Sequence, residues 1–279
     1  MVLEVKKLGK AYDDGFALED ISFQVNEGDF MLLFGEDDAG KTSLLYQILG
    51  MQQFDTGQIT VEKKDVRFVP DSVCMEKITA REYFATLAKY SSKYPQEDVV
   101  DICDYFSIDV DQKLTDMTYN DNKIAMIVGA IGTVPKLLIL DEPLNFLTVK
   151  SGRKMLNFLR HLSDRGVAVL ITADESKDIL RYCDHFVYMK DGKIILKGNA
   201  QECIGRQKAI TVSEVDAPKV EYWLGEQIAN GNRRVTFLFD TKTEERSLGD
   251  ILRVLKVSDI EIEDLTLEEM LDKDYSRWM

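Results

Sequence analysis

The sequence has little of what builds metal clusters and disulfide frameworks. Four cysteines and two histidines occur among 279 residues, and no two cysteines form a CxxC pair. Such wide spacing indicates neither a zinc site nor a disulfide framework. So few histidines also argue against a histidine-rich metal site. The residues concerned are Cys74, Cys103, Cys183, Cys203, His161 and His185.

Long apolar runs are absent as well. No run approaches the roughly 18–20 apolar residues that span a bilayer. The first ten residues, MVLEVKKLGK, lack the apolar core of a signal peptide. We therefore expect a cytosolic chain, in which the 45% of hydrophobic residues form the core of one large or two ordinary domains.

Positive charge is in the minority. The 35 Lys and Arg residues are outnumbered by 49 Asp and Glu residues, so the formal net charge is −14. Because contacts with nucleic-acid phosphates need clustered Lys and Arg, we expect no nucleic-acid partner. The excess of carboxylates is explained more simply as a contribution to solubility.

The most informative stretch that is present is a glycine-bounded loop, GEDDAGKT at residues 35–42. It follows a short apolar run and opens onto a segment with helical apolar spacing, which is the context that the phosphate-binding pattern GxxxxGK[ST] requires. Backbone N–H groups and the helix N-terminus would then point at the phosphates. We expect nucleotide binding by Gly35, Glu36, Asp37, Asp38, Ala39, Gly40, Lys41, Thr42 and Ser43.

Two side chains of this loop carry defined chemistry. Lys41 would reach the β- and γ-phosphates, and the Thr42 hydroxyl would ligate Mg²⁺. Tyr12 precedes the loop and is a candidate to stack on the nucleotide base, although a lone tyrosine more often serves packing.

A pair of carboxylates follows the continuous apolar run at residues 136–140. Such a run is typical of a strand buried on both faces of a parallel sheet, and ligands bind at the carboxyl ends of those strands. Asp141 can hold Mg²⁺ there, and Glu142 can accept a proton from the water that attacks the γ-phosphate. The alternative is a solvated turn, because Asp-Glu-Pro is a common turn sequence.

The rest of the chain alternates predicted strands and helices, with one helical insertion at about residues 75–135. The helices predicted after this insertion include those at residues 176–183, 217–228, 248–255 and 267–271. From residue 207 to 279 the alternation restarts at smaller scale, which predicts a small two-layer α/β module. This module contains no glycine loop, no carboxylate pair after an apolar strand and no metal-ligand spacing. We expect it to have an accessory or regulatory role.

Over residues 2–206, the order of these motifs resembles the nucleotide-binding subunit of an ABC transporter. The match consists of Tyr12, the loop at residues 35–42 (Walker A), the helical insertion and the run at residues 137–142 (Walker B). The strand and turn at residues 187–193 also match. The resemblance implies an α/β P-loop NTPase fold of ABC type, with a mixed sheet, an antiparallel β subdomain and a helical subdomain. It further implies ATP and Mg²⁺ as cofactors.

The resemblance also implies a membrane permease as partner and a peripheral location on the cytoplasmic face of the plasma membrane. The C-terminal module is similar to the tail of bacterial drug- and peptide-exporter ATPases, on general texture and on the ending at residues 265–270. This similarity implies export of a drug, peptide or similar compound, and it is much less specific than the motif match.

Several positions depart from the family pattern. Residues 117–121, MTYND, stand where the signature LSGGQ is expected, and Ala173 stands where the switch histidine is expected. Asp71 aligns with the Q-loop glutamine, which makes it a further candidate ligand of Mg²⁺. Thr148 replaces the D-loop aspartate, and Asp38 replaces a glycine inside the loop. Thr118 and Asp121 can also be explained as an ordinary helix cap.

The groups that bind Mg-ATP are thus kept, whereas several groups that trigger hydrolysis are missing. We expect an ATPase that is slow or depends on a second ATPase subunit, with a heterodimer favoured over a homodimer. Three alternatives remain: a regulatory subunit that does not hydrolyse ATP, a soluble ABC protein without a membrane partner, and a small-molecule P-loop kinase.

Overall fold

The structure, a computed structural model, describes residues 1–13, 15–91, 94–176 and 178–204 without interruption. Beyond these it describes residues 207–213, 216–219, 227–231, 234–241, 248–249, 260–264 and 267. The chain divides into two compact units. The first comprises residues 1–175 and 182–198, and the second comprises residues 176–181 and 199–279.

The first unit contains two sheets and a group of helices. Its helices are α1 (Lys41–Leu49), α2 (Ala80–Ala88), α3 (Gln96–Phe106), α4 (Tyr119–Gly132) and α5 (Val149–Asp164). Its strands are β1 (Leu3–Ala11), β2 (Ala17–Val25), β3 (Phe30–Phe34), β4 (Thr56–Val61), β5 (Val66–Val69), β6 (Leu137–Leu140), β7 (Ala168–Ala173), β8 (His185–Lys190) and β9 (Lys193–Asn199).

The central sheet has the strand order β5-β6-β7-β3-β8-β9. The strands from β5 to β8 in this order pair in parallel. Every residue of β3, β6 and β7 is buried, as expected for parallel strands that are covered on both faces. Because these strands are parallel, the segments that follow β3, β5, β6 and β7 meet at one edge of the sheet.

The smaller sheet has the order β2-β1-β4, and both of its pairings are antiparallel. Its buried residues, including Leu3, Val5 and Ile21, share one apolar core with residues of α1 and of the central sheet. The alternating burial of β2 fits an antiparallel strand with one face on this core.

The predicted helical insertion consists of α2, α3 and α4. A capping box formed by Thr79 and Glu82 begins α2, which satisfies backbone donors that lack a partner within the helix. α4 is buried from residue 122 to residue 132. Close packing requires glycine here, because a Cβ on Gly132 would lie 2.5 Å from Val99 Cγ2.

The prediction of a helix at residues 176–183 was wrong for the residues that the structure describes there. They form only a 3₁₀ turn at Leu180–Tyr182. Asp178 has a φ of 64°, a left-handed conformation that a right-handed helix cannot contain. Its side chain also accepts a hydrogen bond of 2.7 Å from Arg181, which stabilises the local turn.

The described residues of the second unit include one antiparallel sheet of order β11-β12-β10-β13. Ile210 and Val212 of one strand pack with Phe237 and Phe239 of another, and this period of two places all four side chains in one buried cluster. The elements are α6 (Ala200–Cys203), β10 (Gln207–Ser213), β11 (Gln227–Gly231), β12 (Arg234–Asp240) and β13 (Ile260–Asp264).

The helix predicted at residues 217–228 is wrong at its end, since Gln227 and Ile228 belong to strand β11. The helices predicted at residues 248–255 and 267–271 lie almost wholly outside the described residues. So does the ending at residues 265–270, which carried the similarity to exporter tails. No helix in the described parts of the chain has the length and apolarity needed to cross a bilayer.

Candidate nucleotide-binding site

The predicted phosphate-binding loop connects the buried strand β3 to helix α1. Gly40 directly precedes the helix with a φ of 96°, a value that glycine adopts without strain. Asp38 has a φ of 63°, and aspartate tolerates this conformation better than most residues. Gly35 cannot carry a side chain, because a Cβ there would lie 2.1 Å from the carbonyl oxygen of Met189. The loop therefore forms despite the aspartate at position 38.

Lys41 is buried, with only 6% of its surface exposed. Its ammonium donates hydrogen bonds to the carbonyl oxygens of Gly35 at 2.7 Å and Glu36 at 3.2 Å. It also forms ion pairs with Asp174 at 2.7 Å and with Glu142 at 3.5 Å. The ammonium thus lies at the meeting point of the loop and two carboxylates.

Thr42 and Asp141 are 99 positions apart in sequence, and their side chains are in contact. The Thr42 hydroxyl donates a hydrogen bond of 3.0 Å to one carboxylate oxygen of Asp141. The Thr172 hydroxyl donates a bond of 2.7 Å to the other oxygen. It also accepts a bond of 2.8 Å from the backbone N–H of Glu142. Strands β6 and β7 thereby hold the Asp141 carboxylate against the start of α1.

This pair of oxygen ligands fits Mg²⁺. Magnesium prefers oxygen, keeps several waters and is bound by one or two carboxylates together with substrate phosphates. A hydroxyl and a carboxylate in contact at the end of a phosphate-binding loop match that preference. Among the described residues, no group of three or more His, Cys, Asp or Glu side chains is placed to hold a metal by itself, so the phosphates would have to complete the coordination.

Glu142 lies beside this pair, with a left-handed φ of 45°. The pKa of its carboxyl is raised to about 7, mainly by burial; the Lys41 ammonium acts against this rise, and the charges of Asp174 and Asp141 add to it. A carboxylate whose pKa lies near neutrality suits proton transfer at physiological pH.

Most of the predicted site residues line one cleft of about 710 Å³. Gly35, Glu36 and Asp141 are not among the lining residues. The carbonyl oxygens of Gly35 and Glu36 accept hydrogen bonds from Lys41, and the carboxylate of Asp141 accepts one from Thr42. Asp71 lines the cleft and accepts a long hydrogen bond of 3.4 Å from Asn145. The residues that line the cleft are Tyr12, Phe16, Asp37, Asp38, Ala39, Gly40, Lys41, Thr42, Ser43, Asp71, Glu142, Asn145 and Asp174.

Tyr12 forms one wall of the cleft together with Phe16. Their ring centroids are 5.8 Å apart and the rings are tilted by 44°. The Tyr12 hydroxyl accepts a bond of 3.0 Å from Gln47 and donates one of 3.1 Å to Gln52. The tyrosine is therefore held at its polar end while the ring remains at the cleft.

Asp174, Asn145 and Phe16 are the cleft residues that the sequence analysis missed. Asp174 directly follows β7, a buried strand parallel to β3 and β6, so its place at the carboxyl edge of the sheet was a usable signal. Phe16 lies across a short turn from Tyr12, and nothing in the sequence shows which way that turn folds.

The residues in the signature position form an ordinary helix cap. The Thr118 hydroxyl accepts a bond from the Asp121 N–H at 3.1 Å and donates one to the Asp121 carboxylate at 2.8 Å, which confirms the capping interpretation. Tyr119 is 59% exposed and its ring lies 5.3 Å from that of Phe146, which is 60% exposed. An aromatic pair thus occupies the surface where a glycine-rich phosphate contact was expected.

Ala173 ends β7 and is buried. Its carbonyl accepts a bond of 3.3 Å from the Gly35 N–H. The residue therefore supports the loop through its backbone, and its methyl side chain has no group that contacts a phosphate by hydrogen bonding.

A model of the family described as ABC transporter matches residues 18–145. The galactose/methyl galactoside import ATP-binding protein MglA of Treponema denticola is 24% identical over 220 residues, which are 70% of this chain and 44% of that protein. The ribose import ATP-binding protein RbsA of Hahella chejuensis is 24% identical over 274 residues, which are 90% of this chain and 51% of that protein. The chain spans about half the length of these relatives.

The uncharacterized ABC transporter ATP-binding protein YxlF of Bacillus subtilis is 26% identical over 238 residues, which are 81% of this chain and 80% of that protein. A solved ATP-binding subunit of an ABC transporter matches with a TM-score of 0.67 at 23% identity, over 73% of this chain and 92% of its own. The dimeric bacterial ABC transporter cassette MJ0796 matches with a TM-score of 0.64 at 17% identity, over 71% of this chain and 99% of its own.

These likenesses confirm the predicted fold class. The chain has the P-loop fold of ABC type, and its residues 18–145 match the model of the ABC transporter family. Domains of this type are in general ATPases that bind ATP with Mg²⁺.

Proposed function

We propose that this chain binds Mg-ATP in the cleft between Tyr12 and Asp174 and serves as the ATP-binding subunit of an ABC transporter. The observation that carries the proposal is the contact of Thr42 with Asp141 at 3.0 Å, next to the buried ammonium of Lys41. The fold does not need a phosphate-binding loop to contact a metal-binding carboxylate, whereas a Mg-nucleotide site requires this contact.

The nucleotide would lie along the cleft from its aromatic wall to its charged end. Backbone N–H groups of the loop and the N-terminus of α1 would face the phosphates. Lys41 would exchange the carboxylate of Asp174 for phosphate oxygens. Tyr12, supported by Phe16, would stack on the adenine, and stacking of a base on an aromatic ring contributes about 1–3 kcal/mol.

The metal would be held by Thr42 and Asp141, with Asp71 as a further candidate ligand across the cleft. One bound Mg²⁺ would supply positive charge between the phosphates. Thr172 would keep the Asp141 carboxylate in the orientation that it has in the structure.

Hydrolysis would be slow, and Glu142 would act as the general base. Its raised pKa favours proton transfer, but Ala173 offers no imidazole to contact the γ-phosphate. Asp174 adds a negative charge where negative charge develops. Loss of one positioned contact of this kind typically costs on the order of 10²–10³ in rate.

A second ATPase subunit would complete the site. In the ABC arrangement, each nucleotide lies between the Walker side of one subunit and the signature of the other. The aromatic pair of Tyr119 and Phe146 and the carboxylate of Asp121 make a poor phosphate contact, so a homodimer would carry the defect in both of its sites. A heterodimer with a partner that has an intact signature and histidine would carry fewer defects in each site.

A membrane permease would be the other partner, with this chain peripheral on the cytoplasmic face of the plasma membrane. Export of a drug, peptide or similar compound is the direction that the similarity of the C-terminal module to exporter tails favours. Import of a sugar is the second candidate, and the names of the MglA and RbsA relatives favour it. Those relatives are about twice as long as the part that matches, whereas YxlF is of similar length.

Co-purification from membranes tests the transporter assignment. A tagged chain expressed in its own host should retain a polytopic membrane protein in mild detergent, and identification of that protein by mass spectrometry would lead to its substrate. Recovery of the chain from the soluble fraction alone, with ATP binding intact, would instead support a soluble ABC protein. Absence of any turnover in the assembled complex would support the regulatory subunit that does not hydrolyse ATP.

A further inference from the structure

A buried lysine lies beneath the nucleotide cleft, and ATP binding as proposed does not use it. Lys123 belongs to α4 and has no exposed surface. Its ammonium donates hydrogen bonds to three backbone carbonyls: Pro70 at 2.5 Å, Asp71 at 2.9 Å and Asp141 at 3.2 Å. An ammonium has three donors, so each of them has one acceptor.

The presence of a charge at this position needs an explanation. Removing an ammonium from water is costly even when it is well paired, and an apolar side chain of similar volume is often no less stable. The buried positions of α4 that follow Lys123 are indeed apolar, for example Ile124 and Ile127. A methionine would fill the space of Lys123, but it could not bind three carbonyl oxygens.

The three carbonyls belong to the two segments that follow β5 and β6. These strands are neighbours in the central sheet, with Val69 opposite Leu140, and the Asp141 N–H donates to the Val69 carbonyl at 2.9 Å. One segment carries Asp71, which lines the cleft, and the other carries Asp141, which contacts Thr42. Lys123 therefore binds the backbone carbonyls of Asp71 and Asp141, the two residues whose carboxylates are candidates to ligate the metal.

The residue before it fastens the same region. Asn122 donates to the carbonyls of Cys74 at 2.7 Å and Leu114 at 2.8 Å, and it accepts a bond from the Cys74 N–H at 3.1 Å. Two consecutive side chains of α4 thus hold both ends of the segment at residues 70–74. This segment has no regular helix or strand of its own, so its position depends on these bonds.

We propose that Lys123 is a positioning residue for the magnesium site: it sets the separation of Asp71 and Asp141 through their backbone. It touches neither nucleotide nor metal. Loss of Lys123 therefore weakens the contribution of Mg²⁺ to ATP binding, and it leaves the contribution of the phosphate-binding loop in place. This inference rests on the proposed function.

Calorimetric titration with ATP in excess Mg²⁺ and in excess EDTA tests it. The variants are Lys123→Met, which keeps the volume and removes the donors, and Lys123→Gln, which keeps an amide donor. Lys150→Met, at an exposed position of α5, is the matched control. We expect Lys123→Met to lower the affinity for Mg-ATP at least tenfold and that for metal-free ATP less than twofold, with Lys123→Gln in between and the control unchanged.

Equal losses with and without Mg²⁺ in a folded variant would overturn the proposal, because they would show a general structural role. Unchanged Mg-ATP affinity would overturn it as well. If circular dichroism shows that Lys123→Met is unfolded, the same two outcomes apply to Lys123→Gln. A wild-type chain that binds no ATP in either buffer would refute the proposed function itself and this inference with it. If the wild type binds metal-free ATP, the proposed function stands, and the variants then test this inference separately.

Discussion

At the scale of single residues, we expect the carboxylates of the cleft to influence the affinity for ATP. Lys41 pairs with Asp174 at 2.7 Å, and the side chain of Asp174 is about half exposed. ATP bound as proposed would displace this carboxylate from Lys41 and would lie close to its charge. The interaction of two charges at about 4 Å is near 1 kcal/mol in water and larger at the edge of a protein, which is enough to change affinity noticeably.

We predict that Asp174→Asn binds Mg-ATP about fivefold more tightly than the wild type, because a like charge is removed from the phosphate position. Glu175→Gln is the matched control, since it removes the same charge one residue away at an exposed position, and it should change affinity by less than twofold. Calorimetry measures both. Weaker binding by Asp174→Asn would mean that its carboxylate assists the metal or the nucleotide.

Glu142→Gln should abolish the slow turnover and leave Mg-ATP affinity within about threefold of the wild type. The physical reason is that the amide cannot accept the proton of the attacking water, while the Lys41 ammonium and the loop are unchanged. Phosphate release and calorimetry on the same preparation give the two numbers. Turnover that survives this substitution would place the general base elsewhere.

The cysteines offer a check on burial that is independent of nucleotide. Burial raises the pKa of the Cys103 thiol to about 12. Because the thiolate is the form that reacts, Cys103 should remain unmodified by iodoacetamide at pH 8, whereas the partly exposed Cys74 reacts. Mass spectrometry of the peptides would show this, and unfolding in urea should make both react. Modification of Cys103 in the folded chain would contradict its placement.

At the scale of elements, α4 connects the surface at Thr118 to the interior at Lys123. The contribution of its N-terminal cap to stability can be measured. Thr118→Ala should destabilise the chain by about 1 kcal/mol, because it leaves the Asp121 N–H without its acceptor. The urea midpoint of unfolding should fall accordingly, while Thr115→Ala, outside the cap, should not change it. An unchanged midpoint in Thr118→Ala would show that the cap contributes no stability.

Elements with strong local signals were predictable from sequence. The apolar runs that became β3 and β6, the glycine loop and the carboxylates after β6 all lie where their patterns place them. The helix at residues 176–183 was wrong because one left-handed residue, Asp178, outweighs a helical apolar pattern. The end of the helix at residues 217–228 was wrong because β11 pairs with β12, and such pairing is tertiary information.

The residues of the candidate site also fall into those that the sequence predicts and those that it does not. Residues on the loop and after β6 could be named because each belongs to a pattern of known spacing. Asp174 could have been named from its place after the buried strand β7, although its contact with Lys41, 133 positions away, could not have been predicted. Lys123 could not be named, because its importance comes from contacts with distant residues such as Pro70, 53 positions away. The only sequence sign of Lys123 is a charged residue directly before the apolar run at residues 124–132.

At the scale of the whole molecule, every described residue that lines the cleft belongs to the first unit. We therefore predict that truncation after residue 205 leaves Mg-ATP affinity unchanged. A change in oligomeric state on truncation, measured by light scattering, would assign the C-terminal module a role in dimerisation. Loss of ATP binding in a truncated chain that is still folded would show that the module contributes to the site.

A partner subunit is the larger expectation at this scale. Mixing the chain with a candidate partner that carries an intact LSGGQ and histidine should raise ATPase activity above the sum of the two alone. The gain should survive Glu142→Gln in this chain and disappear when the partner's glutamate is replaced, because the intact catalytic groups belong to the partner. A stable homodimer whose turnover no partner raises would contradict the heterodimer.

The central claim is that the loop at residues 35–42 binds Mg-ATP, and calorimetric titration of wild type and Lys41→Ala tests it most directly. The wild type should bind Mg-ATP with one site per chain, and Lys41→Ala should show no measurable binding although its circular dichroism spectrum is unchanged. Lys150→Ala, which removes an exposed lysine from α5, should bind like the wild type. Equal affinity of Lys41→Ala and wild type would contradict the account.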